Sequence, residues 1–155
     1  MPNTACILQT KLGLNSIPAI DISAACSGFI YAISMAEQFI RTGMYKNILI
    51  VGAETLHPFV NYEDRDICIL FGDGAGAFVM TRAPENDPNI VYSTHLRAEG
   101  SLGDLFVLPA GGCKHPVNQH SVDNGLGFMK MKGREIFKNA VRTMSQTCRQ
   151  ALEAN

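Results

Sequence analysis

At 155 residues, with 46% hydrophobic residues, 17% charged residues and 14 glycines, the chain has the composition of a globular protein with room for a sizeable core, which excludes a disordered or fibrous class. The formal net charge of -1 offers no electrostatic footprint for nucleic acid, and no apolar run approaches the roughly 20 residues that span a bilayer. The opening Met1-Pro2-Asn3-Thr4 has no basic and then apolar leader, so the expectation is a soluble, cytoplasmic protein.

Taken in chain order, Ile17 to Ile22 (IPAIDI) is short, β-branched and apolar, which predicts a strand buried on both faces. Ser23-Ala24-Ala25-Cys26-Ser27-Gly28 then forms a tight turn. From Phe29 to Arg41 the apolar residues Phe29, Ile30, Ile33, Ala36, Phe39 and Ile40 recur at helical spacing, and Gly43 supplies the stop. Asn47 to Ala53 (NILIVGA) predicts a second buried strand, and a strand, helix and strand in succession imply a right-handed βαβ unit with parallel pairing. Glu54 to Asp66 is polar and irregular, an excursion over the surface.

Cys68 to Phe71, the glycine-rich run Gly72 to Ala77, and Phe78 to Met80 predict a strand, a bend and another strand. Pro84 to Pro88 is a loop by composition, and Ile90 to Leu96 is strand-like. Residues 99–127 are rich in loop signals. In the last segment Ile136, Phe137, Ala140, Val141, Met144, Cys148, Ala151 and Leu152 repeat at three- and four-residue intervals, placing one apolar face on a long helix. The pattern is α/β.

Five cysteines (Cys6, Cys26, Cys68, Cys113 and Cys148) are odd in number and never form a C-x-x-C pair, which argues against a disulfide framework and against a zinc site. The ordinary expectation for each is a small buried apolar residue. Cys26 differs by position, because a side chain where a strand turns into a helix meets unpaired N–H groups and the positive end of the helix dipole, which stabilise a thiolate. Its small neighbours leave space for a substrate carbonyl and backbone donors for an oxyanion. Position alone leaves two roles open for Cys26, nucleophile and buried structural cysteine.

Gly72 to Ala77 lacks the lysine and serine of a phosphate-binding loop, so it predicts a bend that permits close backbone approach, with Asp73 bonding local amides. Of the four histidines, His57 has no positional tie to Cys26. His95 is expected to be a hydrogen-bonded structural residue, and His115 and His120 solvated loop residues.

Four stretches in this order, Asp21-Ile22-Ser23-Ala24-Ala25-Cys26-Ser27-Gly28-Phe29, Val51-Gly52-Ala53-Glu54, Asp64-Arg65 and Phe71-Gly72-Asp73-Gly74-Ala75-Gly76-Ala77, resemble β-ketoacyl-acyl carrier protein synthase III, one of the thiolase-fold condensing enzymes. The resemblance continues through Leu96 to Ser101 and Met131 to Phe137. It implies a thiolase-like α/β fold, with residues 1–155 as a single partial domain. That domain is part of one layered αβα half with a mixed sheet, running to the start of the connection to a C-terminal half.

By the same resemblance Cys26 accepts an acyl group from a coenzyme A thioester, with its own amide as an oxyanion donor. Arg65 resembles the arginine near the adenine end of coenzyme A, where a planar cation stacks and pairs with phosphate. Gly133 and Phe137 resemble positions along the pantetheine tunnel, and Phe71, Phe106 and Met131 resemble the wall that limits acyl length, with plain core packing as the alternative for these three. The implied partners are acyl-CoA, acyl carrier protein and a second copy in a homodimer, with no metal and no resident cofactor. The family's histidine and asparagine, which stabilise the carbanion when malonyl-acyl carrier protein loses carbon dioxide, come from the C-terminal half and match none of the four histidines here. Three functions follow as expectations: the priming condensation of fatty-acid synthesis, a related condensation in polyketide-type metabolism, and an interaction module incomplete for condensation.

Overall fold

The computed structural model of the protein describes residues 2–155. Among them the regular elements run α1 (Thr4–Lys11), α2 (Gly28–Arg41), β1 (Asn47–Glu54), β2 (Gly74–Thr81), β3 (Phe106–Val107), α3 (Gln119–Asp123), β4 (Lys130–Met131) and α4 (Gly133–Glu153). Short 3-10 turns occupy Ala25–Ser27, His57–Phe59 and Gly100–Leu105. β1 pairs with β2, and β3 with β4. The chain divides into two compact units, residues 1–50 with 78–87 and residues 51–77 with 88–155.

In the first unit α2 follows its apolar periodicity and buries Ala36 and Ile40, while β1 contributes the buried Ile50. The helix ends as Gly43 requires. That residue adopts φ 76°, its N–H reaches the Ile40 carbonyl at 3.1 Å, and the Met44 N–H reaches the Phe39 carbonyl at 3.0 Å, which satisfies two of the last carbonyls. Phe39 meets Tyr45 edge to face, and Phe29 meets Phe78 in the same way. α1 buries none of its residues.

The second unit is built on Val60, Ile67 and Met129, with Leu56, Cys68, Phe71 and Met131 packed around them. Backbone bonds tie the distant pieces together: the Met129 N–H donates to the Phe59 carbonyl at 2.8 Å, and the Lys132 N–H to the Leu105 carbonyl at 2.8 Å. β3 and β4 are antiparallel, with Phe106 opposite Met131 and Val107 opposite Lys130. Asn118 and Ser121 form a reciprocal capping box at the start of α3. α4 is held through Arg97, whose guanidinium donates to Gln146 at 3.3 Å and Gln150 at 2.7 Å. The apolar stripe of α4 is real but outward, with Phe137, Val141, Met144 and Leu152 exposed.

Several expected elements differ. Ile17 to Ile22, Cys68 to Phe71 and Ile90 to Leu96 are not strands. Strand propensity is expressed only where a partner supplies a ladder, and Ile17, Ile20, Ile69 and Ile90 stand exposed instead. Residues 65–70 fold into successive turns, with the Cys68 N–H on the Asp64 carbonyl at 2.9 Å and the Leu70 N–H on the Ile67 carbonyl at 2.9 Å. The parallel partner expected for β1 is replaced by β2. The glycine run straightens into β2 from Gly74 onward, and an added Cβ at Gly72, Gly74 or Gly76 would meet nothing within 4 Å, so no close backbone approach requires these glycines. Cys6, Cys26, Cys113 and Cys148 are exposed and Cys68 is half-buried, contrary to the expectation of buried cysteines.

Candidate functional site

Cys26 is the middle residue of the 3-10 turn Ala25–Ser27, which runs directly into the fourteen-residue helix α2. The turn is closed locally, by the Ser27 hydroxyl donating to the Ala24 carbonyl at 3.0 Å and by the Gly28 N–H donating to the Ala25 carbonyl. No side chain caps either the turn or α2. The thiol is exposed. Ala25 has φ 46°, a left-handed conformation that a residue with a Cβ adopts only when its surroundings enforce it. An exposed thiol beside uncapped helix-start amides can attack a carbonyl whose oxygen gathers charge next to those donors.

Cys6 also lies in the first turn of a helix, a competitor that sequence reasoning missed. Its surroundings differ. The side chain of Asn3 takes its N–H at 3.0 Å, the carboxylate of Asp21 takes the N–H groups of Thr4 and Ala5 at 2.7 Å each, and its Sγ lies 3.9 Å from the Ala19 carbonyl. The first amides of α1 are thereby already taken, which leaves fewer donors there for an oxyanion.

The other candidate residues belong to the second unit. Phe71 stacks on Phe106, with ring centroids 5.2 Å apart and an interplanar angle of 17°, and Phe106 lies opposite Met131 in the ladder, so the three form one apolar group. Phe71 and Met131 also rest on the Val60, Ile67 and Met129 cluster, so both serve as core residues as well. Gly133 opens α4, where a Cβ would sit 3.5 Å from the Met131 Cε. Phe137, one turn on, is 70% exposed, and Arg65 is exposed in the turn that follows Asp64.

Asp73 bonds amides that are far off in sequence rather than local. Its Oδ1 accepts the N–H groups of Leu56 at 2.8 Å and His57 at 3.0 Å, and its Oδ2 lies 2.5 Å from His57 Nδ1. These contacts, led by the His57 N–H and then its ring, hold the Asp73 carboxyl below the usual carboxylate range. No role for His57 follows from the sequence, because a histidine so far from its aspartate carries no signal that spacing could reveal. His95 does make its expected hydrogen bond, at 2.9 Å to the Ser93 hydroxyl.

Together the α/β architecture and an exposed cysteine in a turn that runs into a helix fit the thiolase-like fold class. A family described as 3-oxoacyl-[acyl-carrier-protein (ACP)] synthase III matches residues 20–100, just over half of the chain, and the chain belongs to that family. Beta-ketoacyl-[acyl-carrier-protein] synthase III of a Sulfurovum species is 46% identical over 155 residues, all of this chain and 45% of that protein. The enzyme of the same name from Aquifex aeolicus is 48% identical over 152 residues, 98% of this chain and 44% of its own length. The crystal structure of 3-oxoacyl-[acyl-carrier-protein] synthase III from Aquifex aeolicus superposes with a TM-score of 0.81 at 45% identity, covering 99% of this chain and 44% of that one. The chain thus spans about half the length of the relatives it matches. Among the described residues no helix is long and apolar enough to cross a membrane.

Proposed function

We propose that these residues supply the acyl-carrying part of an enzyme that condenses an acyl-CoA primer with malonyl-acyl carrier protein, beginning fatty-acid synthesis. The observation that carries the reading is the exposed Cys26 in an uncapped turn at the head of α2. The Cys26 sulfur attacks the thioester carbonyl, the turn amides take the developing oxyanion, and collapse expels the coenzyme A thiolate and leaves an acyl-Cys26 thioester. Malonyl-acyl carrier protein then loses carbon dioxide. Its carbanion attacks the acyl carbonyl, and Cys26 leaves as the thiolate.

The donors that hold that carbanion belong to the part of the family's length outside this chain. Arg65, Gly133 and Phe137 are the proposed coenzyme A contacts, and Phe71, Phe106 and Met131 the proposed wall of the acyl pocket. The chemistry needs no metal and no resident cofactor. Exposed apolar side chains in both units, among them Ile20 and Val79 in the first and Val117 and Leu152 in the second, support burial against further polypeptide. We read that polypeptide as the rest of the protein and a second copy in a homodimer, working in the cytoplasm.

The test is acylation of the full-length protein by acetyl-CoA, read by intact mass and peptide mapping. One acetyl group on the Cys26 peptide is expected, with none in Cys26→Ala. Acetylation that persists in Cys26→Ala or maps to Cys6 would overturn the reading. The 155-residue chain alone is expected to form no ketoacyl product.

A further inference from the structure

The segment that leads to Cys26 is held from one side by α1. The helix presents its first amides to Asp21, with the Thr4 N–H on Oδ2 at 2.7 Å and the Ala5 N–H on Oδ1 at 2.7 Å. Farther along the same helix, Gln9 Nε2 donates to the Ile17 carbonyl at 2.7 Å. Residues 17–21 are therefore fastened at both ends to α1 while they take part in no strand. The Asp21 contacts are the stronger pair, because each carboxylate oxygen accepts one short, charge-assisted bond.

Three residues beyond Asp21 comes Ala24, and then Ala25 at φ 46°. A left-handed alanine relaxes unless its neighbours pin it. Asp21 is the nearest side chain N-terminal to the turn that bonds to another element. We infer that Asp21 is a positioning residue for Cys26: by clamping the start of α1 it fixes the chain entering the strained turn and so the direction of the thiol. This rests on Cys26 being the nucleophile. Asp21 acts through the backbone.

The experiment uses the full-length protein and follows single-turnover acetylation from acetyl-CoA, together with iodoacetamide alkylation of each cysteine. Because a misplacement of about 1 Å at a reacting group costs on the order of 100-fold, Asp21→Ala should slow acetylation by ~10- to 100-fold. The KM for acetyl-CoA should stay within about threefold, since no ground-state contact is removed. Asp21→Asn keeps the shape but only one good acceptor, and should fall between parent and alanine. It also decides the matter if Asp21→Ala does not fold. Cys26 alkylation should drop relative to Cys113 and Cys148 in the same sample.

Asn3→Ala is the control, because it removes α1's own cap on the Cys6 N–H while leaving the Asp21 bonds intact, and it should change acetylation by no more than about twofold. Gln9→Ala should act in the same direction as Asp21→Ala but less. Parent-like acetylation in both Asp21 variants, or an equal loss in Asn3→Ala, would overturn the inference. The two failures are distinguishable: acetylated Cys26→Ala defeats the nucleophile reading, whereas inert Cys26→Ala beside a fully active Asp21→Ala defeats only the positioning role.

Discussion

Each unit contains an aspartate that accepts two consecutive backbone N–H groups from residues sixteen and seventeen positions upstream, yet the two clasps are built differently. Asp21 spends one oxygen on each N–H, so peptide groups alone satisfy it. Asp73 gathers both N–H groups on Oδ1 and keeps Oδ2 for the His57 ring. One clasp thus carries a second ionisable group. The first stands before a strained turn, and the second ties down Leu56, which packs on the Val60, Ile67 and Met129 cluster. The same device serves aim in one unit and reinforces a core in the other.

The largest effect should come from the core. Ile67 is 1% exposed, and Ile67→Ala is expected to destabilise the full-length protein by about 2–5 kcal/mol in urea denaturation. A loss below about 1 kcal/mol would mean that the Asp73 clasp, more than side-chain burial, holds residues 56–73. Next comes the locally capped helix, for contrast with the two distant clasps. Ser121 is 4% exposed and completes the Asn118 capping box, so Ser121→Ala should lose about 1 kcal/mol. An unchanged melting curve would show that a five-residue helix in this setting does not depend on its cap.

Ala25→Gly should move stability the other way, by up to about 1 kcal/mol, because the relief of left-handed strain exceeds the added chain entropy. The same variant should acetylate Cys26 more slowly, since glycine frees the turn. A slower and less stable variant would deny that Ala25 is strained. The smallest effect is confined to acid. The Asp73 carboxyl has its folded pKa depressed, so its contribution is complete above the unfolded value of about 3.9 and is lost as pH falls through the lower folded value. Below about pH 4 the Tm of the parent should therefore fall more steeply than that of Asp73→Asn. Parallel Tm curves would remove the clasp from the acid response.

What could be read from the chain was what depends on neighbours in sequence. The helices α2 and α4, the stop at Gly43 and most of β1 follow from spacing over one or two turns, and the thiol at the head of α2 follows with them. α1 could not be read in that way, since it buries nothing and its apolar residues mark no face. The missing strands at 17–22 and 90–96 had the right residue types, but pairing is decided by a partner elsewhere. Asp21 was visible inside a motif and its role was not, because its two donors lie in another element. The left-handed Ala25 is invisible for the opposite reason, as alanine is a residue that sequence reasoning never assigns there. The nearness of Phe71, Phe106 and Met131 came from family resemblance, not from spacing.

The β3 and β4 ladder has a kinetic side. Its two residue pairs join segments separated by residues 108–129, a loop whose ends must meet before either pair forms. Loop closure is opposed by entropy until contacts reward it, whereas the α3 capping box inside that loop needs only four neighbouring residues. During refolding, amides 118–124 should gain protection from hydrogen exchange ahead of the Lys132 N–H that locks onto Leu105. A side-chain period of two also makes the meeting unforgiving. A slip by one residue would set Lys130 where Met131 faces Phe106, and the stack that Phe71 makes would lose its apolar neighbour.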